Sequence, residues 1–264
     1  VGSSTFSFII SESTSPALPA GCTTLQQDCK SFQSLWPSRP WFQGVSEQRC
    51  ALVIYDALGA AQETQDLLQL FSSLQVSCTL VIDVARAVTP EDRATLEYAV
   101  QQGFELGWSF AHGHLAKLLQ GGQFADELND ELPRLNQRLA ELDPDFRNRP
   151  HKWIWTPDRL TLCSSQRCCL KFHGYLIAQS DCSPFEYSPC AEMTAWCVHF
   201  IERRVLPGSV ISMPSPRQKA QPGEDLSFAK EVILRSVQIL QAAGMNIGSL
   251  STACMSSSEQ KLET

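Results

Sequence analysis

The chain has 264 residues, 43% of them hydrophobic and 19% charged, which is enough apolar material for one sizeable globular core. A formal charge of -7, with no run of Lys and Arg, excludes a nucleic-acid binder, because phosphate binding needs basic patches. No stretch of about 18 uncharged apolar residues occurs, so no membrane span is expected.

Residues 1–20 are rich in Ser, Thr and Pro and read as an extended arm. Residues 21–50 hold Cys22, Cys29 and Cys50 around the aromatic–proline stretch Leu35–Phe42. Residues 1–49 are therefore expected to form a disulfide-stapled N-terminal extension packed on the domain that follows, which spans 50–255. From Ala51 strands and helices alternate. Leu52–Tyr55 is a short apolar strand, and Glu63–Leu74 places Leu67, Leu68, Leu70, Phe71 and Leu74 at helical spacing. Val76–Ile82 is apolar and β-branched, a second strand. Thr89-Pro-Glu-Asp92 has the form of a capped helix start with Pro at the first position, and the helix is expected to reach Gln102. Phe104–Trp108 is a third strand. Gln123–Leu142 is a long amphipathic helix in which Pro133 predicts a kink or a break. Trp153–Trp155, Tyr175–Ala178 and Ser209–Met213 supply further strands, and Leu226–Ala243 a final helix. The alternation argues for a parallel sheet with helices outside it. Glu259-Gln-Lys-Leu262 in the tail 256–264 matches the start of a common epitope tag and is set aside.

Eleven cysteines without paired Cys-x-x-Cys knuckles point to disulfides and an oxidising compartment rather than to a zinc ribbon. Cys22, Cys29, Cys50, Cys163, Cys168, Cys169, Cys182, Cys190, Cys197 and Cys254 are the candidates for bridges. Cys78 lies in an apolar strand pattern and is the expected free thiol, acting as a small hydrophobe. The chain does not start with Met and reads as a mature secreted protein whose leader has been removed, placed outside the cell or at a cell wall. It carries no Asn-x-Ser/Thr acceptor.

Five segments recur in a telling order: Ala51–Asp56 (ALVIYD), Val76–Asp83 (VSCTLVID), Gly103–Gly107 (GFELG), Gly208–Met213 (GSVISM) and Gly244–Leu250 (GMNIGSL). Their order and spacing resembles the NodB-homology domain of carbohydrate esterase family 4, the polysaccharide deacetylases that remove acetyl groups from chitin, peptidoglycan or xylan. The resemblance covers roughly residues 50–253. It implies an α/β fold, an irregular (β/α) barrel with its groove at the C-terminal ends of the strands.

The family's chemistry uses a divalent metal held by one Asp and two His to polarise the acetyl carbonyl and activate water, with a carboxylate base and a His acid. By resemblance Asp56 occupies the base position, and Ala57 the position of the metal-binding carboxylate. Ser109 and Gly113 fall where the two histidines would be, although His112 and His114 lie close by. Residues two apart in an extended segment point to one side, so this pair, with Asp56, is the alternative metal set. Trp155 replaces the third motif's Arg, Pro157 matches, and Pro214 stands where the acid histidine belongs. Asp181 is the surviving residue of the fourth motif. Trp153 and Trp155 alternate to a common side, either as a platform for sugar rings or as core. Trp108, Trp153, Trp155 and Asp181 are the candidate glycan-groove residues.

Together these replacements imply a secreted, deacetylase-like pseudoenzyme with no cofactor. Its expected role is a glycan-binding or protein-interaction module, with chitin or another acetylated cell-wall polysaccharide as partner. The alternative is an active deacetylase using zinc or another divalent metal at Asp56, His112 and His114. A disulfide-stapled recognition protein without glycan affinity is the third reading. Neither a Gly-x-Ser-x-Gly elbow nor a His-Glu-x-x-His motif is present to support other hydrolase chemistry.

Overall fold

A computed structural model of the chain describes residues 48–55, 57–58, 61–83, 89–109, 132–133, 136–137, 140–141, 143, 146, 148–149, 151–156, 164–184, 193–215 and 227–254. They fall within one compact unit, Arg39–Thr264. The expected extension over residues 1–49, apart from its last two residues, and the tail 256–264 lie outside the described residues.

The strands are β1 (Arg49–Tyr55), β2 (Thr79–Asp83), β3 (Glu105–Ser109), β4 (Lys152–Trp155), β5 (Tyr175–Ala178), β6 (Val210–Pro214) and β7 (Asn246–Gly248). The helices are α1 (Ala61–Ser73), α2 (Pro90–Gln101), α3 (Ser164–Phe172), α4 (Met193–Arg204), α5 (Ser227–Ala242) and the short α6 (Leu250–Cys254). Every pairing is parallel, in the order β5-β4-β3-β2-β1-β6. β7 pairs with the start of β1, Arg49 to Ala51, below the point where β2 takes over at Val53. The two ends of the sheet meet through one bridge, Cys182 against Ile211. The Asp181 and Cys182 amides donate to Val210 O at 2.9 and 3.2 Å, and the Ser212 amide donates to Cys182 O at 2.9 Å. The sheet is thus a half-barrel whose seam is closed by residues 181–182 rather than by a full strand.

Alternation sorts the side chains into two layers. Leu52, Ile54, Leu80, Ile82, Leu106, Trp108, Ile154, Tyr175, Ile211 and Met213 face outward and bury against Leu67 and Phe71 of α1, Leu96 of α2, Ile201 of α4 and Val232 and Val237 of α5. Ala51, Val53, Val81, Trp153, Trp155, Ala178 and Val210 face inward, joined by Leu250 and Ala253 of α6. Strands buried on both faces read as continuous apolar runs, which is why the sequence pattern marks them so clearly.

The helix ends follow from local chemistry. Thr89 Oγ1 accepts the Asp92 amide at 3.1 Å and Asp92 Oδ2 accepts the Thr89 amide at 3.2 Å, the capping box that the sequence predicts for α2. After α1 the Val76 amide donates to Phe71 O at 2.9 Å and the Gln75 amide to Ser72 O at 3.1 Å, with Gln75 at φ 55°. This two-bond wrap terminates the helix and consumes Val76, so β2 begins at Thr79 rather than at Val76. Gly103 at φ 80° repeats the device after α2, its successor Phe104 donating to Ala99 O at 3.0 Å.

Pro133, residues 136–137 and residues 140–141 are in helical conformation, and the rest of the expected helix 123–142 lies outside the described residues apart from Leu132. Helices α3, α4 and α6 and strand β7 have no counterpart among the elements expected from the sequence. β7 and α6, at three and five residues, are too short to show a period.

The cysteines correct one expectation. Cys50, Cys168, Cys182 and Cys197 are thiols, as is Cys78, and no disulfide occurs among the described residues. Cys50, Cys182 and Cys197 are buried in the outer-face core beside aliphatic residues, where a thiol packs as a small hydrophobe in the way Cys78 does. Cys197 Sγ donates to Pro184 O at 3.5 Å. Cys168 is exposed on α3. Cys22, Cys29, Cys163 and Cys190, and the side chains of Cys169 and Cys254, lie outside the described residues.

Candidate functional site

At the carboxyl ends of the strands the register sets four residues in one row. Asp83 of β2 is opposite Ser109 of β3, Ser109 is opposite Trp155 of β4, and Trp155 is opposite Ala178 of β5. All four follow the inward parity of Val81, Gly107 and Trp153, so the row lies on the inner face at the mouth of the half-barrel. Asp83 is 8% exposed, Ser109 and Trp155 each 5%. Tyr55, the last residue of β1, stands half-buried against the same inner layer. A carboxylate, a hydroxyl and an indole therefore meet on three adjacent strands. Thr156 and Ser215 immediately follow β4 and β6 at the same end, and each keeps a buried hydroxyl without a hydrogen-bond partner among the described residues.

The positions that family chemistry would use are occupied as follows. Ala57 carries a methyl group buried in the outer cluster, with its carbonyl accepting Thr64 Oγ1 at 3.1 Å. Ser109 ends β3 and Pro214 ends β6. The Ala57 methyl group offers no metal donor and the Pro214 ring no proton. No group of three or more His, Cys, Asp or Glu suited to a metal occurs among the described residues. Asp56, His112, Gly113, His114 and Pro157 lie outside the described residues.

The four glycan-groove candidates do not share one surface. Trp153 and Trp155 lie together in the inner layer, as their spacing predicts. Trp153 Nε1 donates to Ser251 Oγ of α6 at 2.9 Å, which ties it to the floor of the half-barrel. Trp108 points to the opposite face, where its ring meets Phe146 edge-on with centroids 6.1 Å apart. Asp181 lies at the seam, and its Oδ2 accepts the Val210 amide at 2.8 Å, a bond that helps close the sheet. Beside it Ser180, Ser183 and Ser212 form a buried triangle of hydroxyls. Sequence reasoning passed over Asp83 as a site residue. The available signal was its parity: it ends an apolar strand two residues beyond Val81, which places it inward at the mouth.

Three solved structures share this fold. A polysaccharide deacetylase from Bacillus cereus superposes with a TM-score of 0.58 at 15% identity, over 77% of this chain and 92% of its own. A family 4 acetyl xylan esterase from Clostridium thermocellum, solved with a cobalt ion, gives 0.55 at 14% identity over 78% and 89%. A family 4 carbohydrate esterase from Bacillus anthracis gives 0.50 at 12% identity over 83% and 97%. No protein-family model matches the sequence, and no curated protein does. At such identities the likeness shows the fold: this chain is built as an α/β half-barrel of the polysaccharide deacetylase type.

Proposed function

We propose that the protein binds a glycan at the mouth formed by β2, β3 and β4 and does not hydrolyse it. The observation that carries this reading is the row Asp83–Ser109–Trp155. Carboxylate and hydroxyl oxygens accept and donate to sugar hydroxyls, and an indole packs against a sugar ring. The positions that would serve acetyl hydrolysis hold Ala57, Ser109, Trp155 and Pro214 instead. Removing reactive groups that act as a unit abolishes nearly all the rate enhancement. The similar solved structures include a polysaccharide deacetylase and an acetyl xylan esterase, which supports a polysaccharide of the cell-wall kind, chitin among them, as the ligand class. No cofactor enters this proposal, and an extracellular setting is part of it. The thiols of Cys50, Cys78, Cys168 and Cys182 make a reducing compartment the competing setting.

The test combines three measurements on the full chain: retention on insoluble chitin and acetyl xylan after chelation, acetate release from both, and calorimetric titration with zinc and cobalt. Retention without metal and without acetate release is the expected result. Acetate release together with one-to-one metal binding that is lost in His112→Ala would overturn it in favour of the Asp56–His112–His114 site. Failure to be retained by any polysaccharide would overturn it in favour of a protein-recognition role.

A further inference from the structure

We infer that the outer face of the sheet carries a second binding site, which takes a sugar acid: one carboxylate on a hydroxylated body of one ring. A cavity of about 540 Å³ lies at the start of β4, lined by Pro133, Asn136, Gln137, Phe146 and Lys152. That volume is in the range of small-molecule sites. Pro133, Asn136 and Gln137 are helical and stand three and four apart, the spacing of one helix face. Lys152 shares the outward parity of Ile154 and is opposite Tyr175 of β5, which also faces outward. The cavity is therefore on the side of the sheet away from the inner layer, and the inference is independent of the glycan-binding reading above.

The donors decide the ligand. Lys152 Nζ lies 5.2 Å from the centroid of the Phe146 ring, an attraction that holds the ammonium beside the cavity. It is in none of the ion pairs among the described residues, and no carboxylate is among the described lining residues. The buried Asp143, three residues before Phe146, is taken by Arg149 at 2.6 Å. Asn136 Oδ1 accepts the Tyr175 hydroxyl at 2.6 Å, which fixes the amide and leaves its two N–H bonds as what it offers a ligand. Gln137 is exposed, and its amide can both donate and accept. One ammonium balances one negative charge, which suits a carboxylate better than a phosphate at about -1.5 to -2. The two amides then match hydroxyl groups, while Pro133 and Phe146 supply apolar surface for ring carbons. The net charge of -7 opposes an anion at long range, but at ordinary salt charges beyond about 10 Å are largely screened. Contact with Lys152 decides.

The test is calorimetric titration of the full chain with glucuronic acid, glucose and acetate in turn. Glucuronic acid is expected to bind at least about tenfold more tightly than either fragment of its chemistry. Lys152→Gln, which keeps much of the side-chain length and removes the charge, is expected to bring glucuronic acid down to the level of glucose at an unchanged melting temperature. Asn136→Asp is the second variant. It keeps an acceptor for the Tyr175 hydroxyl and sets a negative charge in the cavity, so it is expected to abolish glucuronic acid binding. No binding of glucuronic acid, or binding that survives in both variants, overturns the inference. Glucose binding as tightly overturns the role of the carboxylate, and acetate binding as tightly overturns that of the sugar body. Each of these results leaves the reading of the mouth untouched, because the polysaccharide retention that tests it is measured separately.

Discussion

Glu105, the first residue of β3, holds the short helix α6 against the floor of the half-barrel through Ser251. Its carboxylate accepts the Ser251 hydroxyl and, at 3.2 Å, the Ser251 amide. Thr79 Oγ1 donates to the same carboxylate at 2.6 Å and accepts the Leu250 amide at 2.9 Å, so two strands and one helix start share a single buried anion. An anion at a helix start satisfies amide donors that have no intrahelical partner. Glu105→Ala leaves those donors buried and unmatched and is expected to cost about 2–4 kcal/mol in a denaturant titration. Glu105→Gln keeps the shape and is expected to cost less. An unchanged midpoint in Glu105→Ala would show that the network contributes nothing net.

Burial pushes the Cys50 thiol up to about 12, and it pushes the Cys78 and Cys182 thiols and the Tyr175 phenol upward as well, with the Glu105 charge adding to the effect at Cys78. In the unfolded chain a thiol releases its proton near 9.0. Above that pH the unfolded state holds fewer protons than the folded one, so stability falls as pH rises. The contribution is whole below about pH 9 and is lost progressively toward about pH 12. Denaturant midpoints are expected to decline over that window, and more shallowly in Cys50→Ala measured against its own value at neutral pH. A flat profile across the window would contradict the burial of these thiols.

Gln75 holds a left-handed conformation at φ 55° where the equivalent turns after α2 and α5 use Gly103 and Gly244. A side chain there costs about 1–2 kcal/mol of strain, partly offset by the greater unfolded-state entropy of glycine. Gln75→Gly is therefore expected to raise stability by up to about 1 kcal/mol, read as an upward shift in melting temperature. A loss of stability would mean that Gln75 makes contacts that outweigh its backbone strain.

Gly107 lies in the inner layer one step below the Asp83–Ser109 level. A Cβ there would stand 3.1 Å from Thr79 Cγ2, 3.5 Å from Val81 Cγ2 and 3.7 Å from Trp153 Cβ. Gly107→Val overfills this layer and is expected to cost about 1–3 kcal/mol, with Gly107→Ala milder. Displacing Trp153 also bears on the mouth, so glycan retention is expected to fall with stability in the valine variant. Retention unchanged in a destabilised Gly107→Val would separate the mouth from the layer beneath it.

Much of the architecture was legible in the sequence because parallel strands buried on both faces leave unbroken apolar runs such as Leu52–Tyr55 and Thr79–Ile82, and because the Thr89–Asp92 cap is a purely local device. The sequence by itself also determined that alanine, serine and proline stand where the resemblance calls for a metal ligand or an acid, since residue identity settles what a side chain can donate. Tertiary structure alone decided which side chains meet. Asp83 and Ser109 are 26 residues apart and become neighbours only through strand register, which depends on how the two layers pack. The opposed faces of Trp108 and Trp153 and the role of Asp181 at the seam arose the same way, because each follows from a strand's parity against partners distant in the chain.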